Sequence, residues 1–171
     1  MKKLNLVIAF FVLFATTAVA QKYGFVDTDH VSNSIPAFVA AQNQLDRLSQ
    51  QWEKEISDGY AVVEQMYNAY QNEAAQLSQD MRRRREEAII AREREVKALQ
   101  NKYFGMEGEM LKRQEELLKP IQDEIMRAIR EIAVAGNYAA IFDVASGGNI
   151  LFLSPSADIS NQVLEKLGYK N

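Results

Sequence analysis

QLSQDMRRRR, residues 76–85, is the stretch whose reading decides the fold. It lies at the centre of 83 residues, Ala37 to Lys119, that contain no proline and are rich in Gln, Glu, Ala, Leu, Arg and Lys. These are good helix formers. At about 1.5 Å of rise per residue, one uninterrupted helix over that length would reach about 125 Å, so the chain is either a rod or folds back on itself. Pro36 and Pro120 flank the region, and Ser78 is their midpoint. The polar residues around it suit a tight helix-helix turn, with Ser78 or Asp80 placed to cap the returning helix. The expected element is an antiparallel helical hairpin about 60 Å long with its tip near 76–82. Arg82, Arg83, Arg84 and Arg85 then open the returning helix at that tip.

Hydrophobic spacing agrees with two facing helices. On the outgoing side Phe38, Ala41, Leu45, Leu48, Trp52, Ile56, Tyr60, Val63, Tyr67, Tyr70, Ala74, Leu77 and Met81 recur at threes and fours, with a skip between Trp52 and Tyr60. On the return, Val96, Leu99, Tyr103, Met106, Met110, Leu117, Ile121, Ile125, Ala128, Ile132 and Ala135 form a second seam, with Gln114 filling one position. Such seams pack helix against helix. Gly105 and Gly108 interrupt the second seam, at about 1 kcal/mol each against alanine. They are read either as a hinge or as room for Trp52 across the hairpin.

The ends of the chain have a different pattern. KYGFVDTDHV, 22–31, alternates as a strand does. Tyr138 to Val144 and Ile150 to Leu153 are short apolar runs joined by Ala145-Ser146-Gly147-Gly148-Asn149, a hairpin signal. After Pro155, an Asp158 cap, the run Ile159 to Leu167 and Gly168 predict a short final helix. The fold class is α+β: a β body from 21–35 and 136–171, and a coiled-coil hairpin arm over 36–135. Three short strands bury little apolar surface, and open sheet edges pair with other chains. Symmetric self-association of the β body is therefore expected.

Residues 1–20 have the basic start, apolar run and Ala18-Val19-Ala20 ending of a cleaved secretory signal. The competing reading is an uncleaved membrane anchor, since the run approaches spanning length. Without Lys2 and Lys3 the 20 basic residues become 18 against 23 acidic ones, a mature formal charge of −5. That balance argues against a dedicated nucleic-acid binder. The chain has no cysteine, so it holds no disulfide framework. His30 is the only histidine, read as a strand-end side chain, and neither a Cys–His pair nor a usual structural zinc set can be assembled in one chain. Gly147-Gly148 reads as a turn rather than a phosphate cradle. Enzymatic function and a cofactor are not expected.

The order strand, long helical hairpin, strand pair and short helix resembles the Skp/OmpH family of periplasmic chaperones. The segments that carry the likeness are YGFVDTDHV with IPAF, EGEMLKRQEELLKPIQDEI, and YAAIFDVASGGNILFLSPSADISNQVLEKLGY. The resemblance implies a homotrimer with a common β body and helical hairpins around a cavity. It further implies an ATP-independent periplasmic holdase that keeps unfolded outer-membrane proteins from aggregating before insertion.

Many weak contacts suit such a role, and adaptable Met and amphipathic Tyr supply them. Candidate client contacts are Met66, Tyr67, Tyr70, Met81, Tyr103, Phe104, Met106 and Met110, with seam packing as the other reading of the same stripe. Met66 and Phe104, off the seam, are expected to be the more exposed. Between Asp80 and Lys97 seven basic residues stand against five acidic ones. The Arg82–Arg85 tip is read either as a solvated helix surface held by ion pairs, or as a contact for anionic membrane, lipopolysaccharide or acidic client segments. Many members of the resembled family are basic overall, and the net negative charge here departs from them. The competing function is a structural coiled-coil envelope protein with a fixed partner; a membrane-tethered form of either is a third.

Overall fold

The computed structural model describes residues 21–145, 147 and 150–169, and residues 1–20, expected to be a signal, lie outside them. The element order is β1 Lys22–Val26, α1 Thr28–Asn33, α2 Pro36–Glu73, α3 Gln79–Phe104, α4 Glu109–Ala135, β2 Tyr138–Asp143 and α5 Ser160–Lys166. Two compact units result: one takes in the residues up to Val31 and from Arg127 onward, the other Ser32–Met126.

The helical unit folds back at the expected place. Pro36 opens α2, where its missing N–H costs nothing. After Glu73 the Ala74 N–H still reaches the Tyr70 carbonyl at 2.8 Å, and the chain then reverses. Ser78 is extended and its Oγ accepts from the Met81 N–H at 3.3 Å, so it is the serine that caps α3. Asp80 takes another part and accepts from Arg83 and Arg84.

The α2 seam is buried at Ala41, Leu45, Trp52, Ile56 and Gly59, then half-buried at Val63, Met66, Tyr70, Ala74 and Leu77. This corrects the expected seam at Tyr60 and Tyr67, and at Met81, which lies on α3 and is exposed. The spacing alternates threes and fours through Gly59 and Met66, whereas Tyr60 and Tyr67 stand one step around the helix and are 38% and 50% exposed. The cause is steric. A Cβ on Gly59 would lie 2.8 Å from Val96 Cγ2, so α2 approaches α3 through a residue that offers no apolar side chain to a hydropathy pattern.

The returning segment is two helices rather than one. α3 ends at Phe104 and α4 begins at Glu109, with the Gly105 N–H on the Asn101 carbonyl and the Gly108 N–H on the Gly105 carbonyl. Pro120, in contrast, lies inside α4 without ending it. The half-buried face that continues across it, through Leu117 and Ile121 to buried Ile125, offsets the one bond that proline removes.

In the other unit β1 and β2 pair in parallel, Phe25 opposite Phe142, with an irregularity between Lys22 and Tyr23. A parallel pair needs a long crossover, and the helices between the two strands supply it. The second edge of β1 bonds to the segment before α5: the Phe25 N–H reaches the Ala157 carbonyl and the Ile159 N–H reaches the Phe25 carbonyl, both at 2.8 Å. The expected hairpin is therefore corrected. Ile150–Leu153 is not a strand; the segment after β2 that joins the sheet is residues 157–159, on the edge of β1 away from β2. Of the linking residues, 146, 148 and 149 lie outside the described set, and Gly147 is left-handed with φ 71°.

The strand expected over 22–31 also stops early. Asp27 Oδ1 accepts from the His30 N–H at 2.8 Å and turns the chain into α1, so His30 is helical rather than at a strand end. The buried residues here are Val26, Val31, Ala128, Ile129, Ile159, Val163 and Leu164. One buried polar group, Ser160, receives the Asp27 N–H on its Oγ at 2.9 Å and gives its own proton to Asp158 at 2.6 Å. Gly168, at φ 88°, closes α5 with the paired bonds from Gly168 to Glu165 and Tyr169 to Leu164 that define a Schellman end.

Two tests follow from these contacts. Gly59→Leu forces a side chain into the Val96 contact and lowers stability by about 1–3 kcal/mol, measured by urea unfolding. The second concerns Asp143, which accepts from the Thr28 hydroxyl at 2.6 Å, the Thr28 N–H at 3.3 Å and the Ala145 N–H at 3.0 Å. Burial pushes its carboxyl up, but these hydrogen bonds outweigh burial and hold it below the ordinary carboxylate value. A depressed folded pKa adds stability above the unfolded value of about 4 and loses it as pH falls through the folded one. Asp143→Ala is expected to cost about 1–2 kcal/mol at pH 7 and less at pH 3, read as the shift in urea midpoint at the two pH values.

Candidate functional site

The helical unit holds one aromatic cluster. Trp52 and Tyr103 stack with ring centroids 4.7 Å apart and planes within 5°, while Phe104 meets Trp52 edge-on at 6.1 Å. Ile56 and Val96 complete the buried cluster, and Leu48, Val63, Leu99 and Met110 pack against it. The Tyr103 hydroxyl donates to Glu55 at 2.8 Å, and that hydrogen bond, with burial and the Glu55 charge, raises its pKa. Farther along, the Tyr70 hydroxyl donates to Glu86, which likewise raises it.

Beside the cluster lies an open groove of about 440 Å³ lined by Glu53, Ile56, Ser57, Tyr60, Gln100 and Phe104. The Tyr60 hydroxyl reaches the Gln100 side chain at 3.3 Å across its mouth. On the opposite flank of the helix pair a second recess is lined by Glu55, Gly59, Arg92, Glu95, Val96 and Leu99. The first flank is aromatic, the second ionic.

The eight candidate contact residues fall into two groups. Tyr103 is buried, and Met66, Tyr70 and Met110 are half-buried, all within or beside the seam. Phe104, Tyr67 and Met81 are 39%, 50% and 51% exposed, and Met106, in the break between α3 and α4, is 95% exposed. The expectation that Met66 stands off the seam is corrected by the register through Gly59. Met106 leaves the expected seam for the opposite reason: the helix ends before it. Sequence reasoning missed Tyr60 as a groove residue. Its signal was the skip between Trp52 and Tyr60, which a glycine at position 59 resolves.

The arginine run fastens the turn. Arg82 Nε donates to the Leu77 carbonyl at 3.2 Å, Arg83 and Arg84 reach Asp80 at 3.0 and 3.3 Å, and Arg85 crosses to Glu73 at 3.3 Å. All four side chains remain exposed, where such pairs contribute little individually. Among the described residues no group of three or more His, Asp or Glu side chains is gathered as a metal ion would need.

Gly105 and Gly108 lie in the break between α3 and α4. A Cβ on Gly105 would lie 2.4 Å from the Asn101 carbonyl oxygen, and one on Gly108 would lie 2.7 Å from that of Tyr103. The neighbours are the chain's own backbone. These nearest contacts favour a backbone break over space for the indole.

A long helix pair turned at a capped serine, together with a small parallel α+β unit, defines a class of helical-hairpin proteins. The chain belongs to the outer membrane protein (OmpH-like) family, which matches residues 22–167. Its fold is similar to a crystal structure described as a candidate outer membrane chaperone (OmpH-like) from Caulobacter crescentus CB15. The TM-score is 0.65 at 14% identity, covering 87% of this chain and 85% of that one. No curated protein sequence matches the chain.

The break supplies its own test. Replacing Gly105 and Gly108 together by alanine removes the conformation that separates α3 from α4, because both added methyl groups collide with carbonyl oxygens. The expected outcome is a rise in helical circular dichroism with little change in Trp52 emission. A large shift in that emission would instead tie the glycines to the indole.

Proposed function

We propose that this protein is an ATP-independent periplasmic holdase, exported by cleavage after Ala20, that binds unfolded outer-membrane proteins and keeps them from aggregating before insertion. The observation that carries the reading is the exposed apolar flank of α2 and α3, where Tyr60 and Phe104 border an open groove and Tyr67 stands exposed two turns on, although the seam between the helices is already filled. Groups left exposed after the hairpin has satisfied its own packing are free for a client. Weak contacts repeated over such a surface accumulate affinity without a shaped pocket. Membership of the OmpH-like family supports the same reading.

Self-association belongs to the proposal. In the unit that holds the sheet, Leu151 is 101%, Phe152 82% and Val134 73% exposed, and Tyr23 and Phe142 stand half open beside Phe25. A two-stranded sheet is marginal alone. A homotrimer built on these residues would cover them and bring three helical hairpins around one client. The break at Gly105–Gly108 serves in this reading as a hinge that adapts the hairpin to clients of different size. The alternative, a structural coiled-coil protein with a fixed partner, draws on the filled seam and leaves the exposed aromatic flank without a use.

The deciding experiment mixes the mature chain, Gln21 to Asn171, with a urea-unfolded outer-membrane barrel protein diluted into buffer, followed by multi-angle light scattering. The expected result is a soluble complex of trimer mass plus client, formed without ATP. A stable oligomer that leaves the client to aggregate would overturn the reading.

A further inference from the structure

The helical hairpin has two unlike flanks. One is built on two rows at seven-residue spacing, Glu53-Tyr60-Tyr67 on α2 and Ile90-Lys97-Phe104 on α3, which share a side because Tyr60 and Gln100 touch and Glu53, Tyr60 and Phe104 line one groove. Tyr60, Tyr67, Ile90 and Phe104 are each between 38% and 50% exposed. The corresponding rows on the other side are Glu55-Val62-Ala69 and Ala88-Glu95-Lys102, where Val62 is the one large exposed apolar residue.

Charge on the first flank is also one-sided. Lys97 is held by Glu93 at 2.7 Å, and the Glu93 hydrogen bond and charge raise its pKa. Glu53, at the rim of the groove, receives only the Ser49 hydroxyl at 2.8 Å and forms no ion pair among the described residues. The groove therefore offers an apolar floor in Ile56 and Phe104, amphipathic edges in Tyr60 and Gln100, and a carboxylate with spare acceptor capacity.

We infer that this groove is the client-reading subsite of the hairpin: it takes an aromatic side chain of an extended polypeptide while Glu53 pairs with a Lys or Arg close by in the same segment. The inference rests on the holdase reading and adds to it the face used and the chemistry preferred. An aromatic ring placed between Phe104 and Tyr60 buries apolar area on both faces, and tilted or edge-on arrangements of the kind Phe104 already makes with Trp52 favour it further. A cation over the Tyr60 ring gains a second attraction beyond Glu53. An acidic neighbour in the client would instead meet Glu53 as a like charge. On the opposite flank Arg92 is paired with Glu95, and Glu55 is turned to the Tyr103 hydroxyl of the cluster.

The test uses the full mature chain with a photo-crosslinking residue at Ser57 or Gln100 on the aromatic flank, or at Asp58 or Glu95 on the other, and an unfolded porin as client. Crosslinks concentrated at Ser57 and Gln100 are expected. Equal or reversed crosslinking from a complex that stays soluble would overturn the subsite and leave the holdase reading standing; failure of all positions to crosslink, together with client aggregation, would overturn both. A second arm measures two extended peptides by fluorescence anisotropy, one with tryptophan beside lysine and one with tryptophan beside glutamate. The lysine peptide binds more tightly, Glu53→Lys weakens it about threefold, and Tyr60→Ser weakens both peptides. Identical binding of the two peptides, or insensitivity to Glu53→Lys, would overturn the proposed charge preference. Both substitutions fall on exposed positions, so the fold is retained and circular dichroism verifies it.

Discussion

The close approach of α2 and α3 at Gly59 and Val96 is the constraint on which the helical unit depends. Val96 is 2% exposed, and the space it fills is the space a side chain at position 59 would occupy. That contact sets which residues of α2 point into the seam. With Gly59 inside, Trp52, Ile56, Val63 and Met66 follow at helical spacing, and Tyr60 and Tyr67 are turned outward. The aromatic flank is thus a consequence of a glycine that has no side chain to pack.

The stacked Trp52 and Tyr103 pair lies next to that contact and near the end of α3. Phe104 is the last helical residue before the break, and its ring meets the indole edge-on. Because α3 stops there, Met106 is released to solvent rather than carried into the seam, and the helix resumes at Glu109 with Met110 again packed on the cluster. Packing, break and groove are therefore a single local arrangement. An exposed apolar surface beside a filled seam suits a protein whose partners vary in sequence, because the hairpin keeps its own stability when no partner is bound.

In the sheet-bearing unit the organising contacts are polar. Asp27, Asp143, Asp158 and Ser160 tie the end of β1, the start of α1, the end of β2 and the start of α5 to one another through side-chain bonds to backbone N–H groups and hydroxyls. These bonds satisfy donors at the starts of α1 and α5 that have no intrahelical partner. They also hold residues 157–159 beside Phe25, on the edge of β1 away from β2.

How much of this was legible in the sequence can be argued residue by residue. The fold-back at Ser78, the start of α2 at Pro36 and the closure of α5 at Gly168 were readable because each depends on local backbone chemistry: a cap, a missing donor and a left-handed residue. The α+β class was readable from the change of hydrophobic period. The seam register beyond Ile56 was not, since glycine is silent in a hydropathy pattern and its burial follows from the partner helix. Nor was the parallel pairing of β1 with β2, which joins residues more than a hundred positions apart and competes with a local hairpin signal. The sequence by itself determined where α2 starts, where the hairpin turns and where α5 stops, because short-range sterics and hydrogen bonds govern those events. Only the tertiary structure decided which faces they bury and which aromatics they leave open, because that depends on how closely two backbones approach.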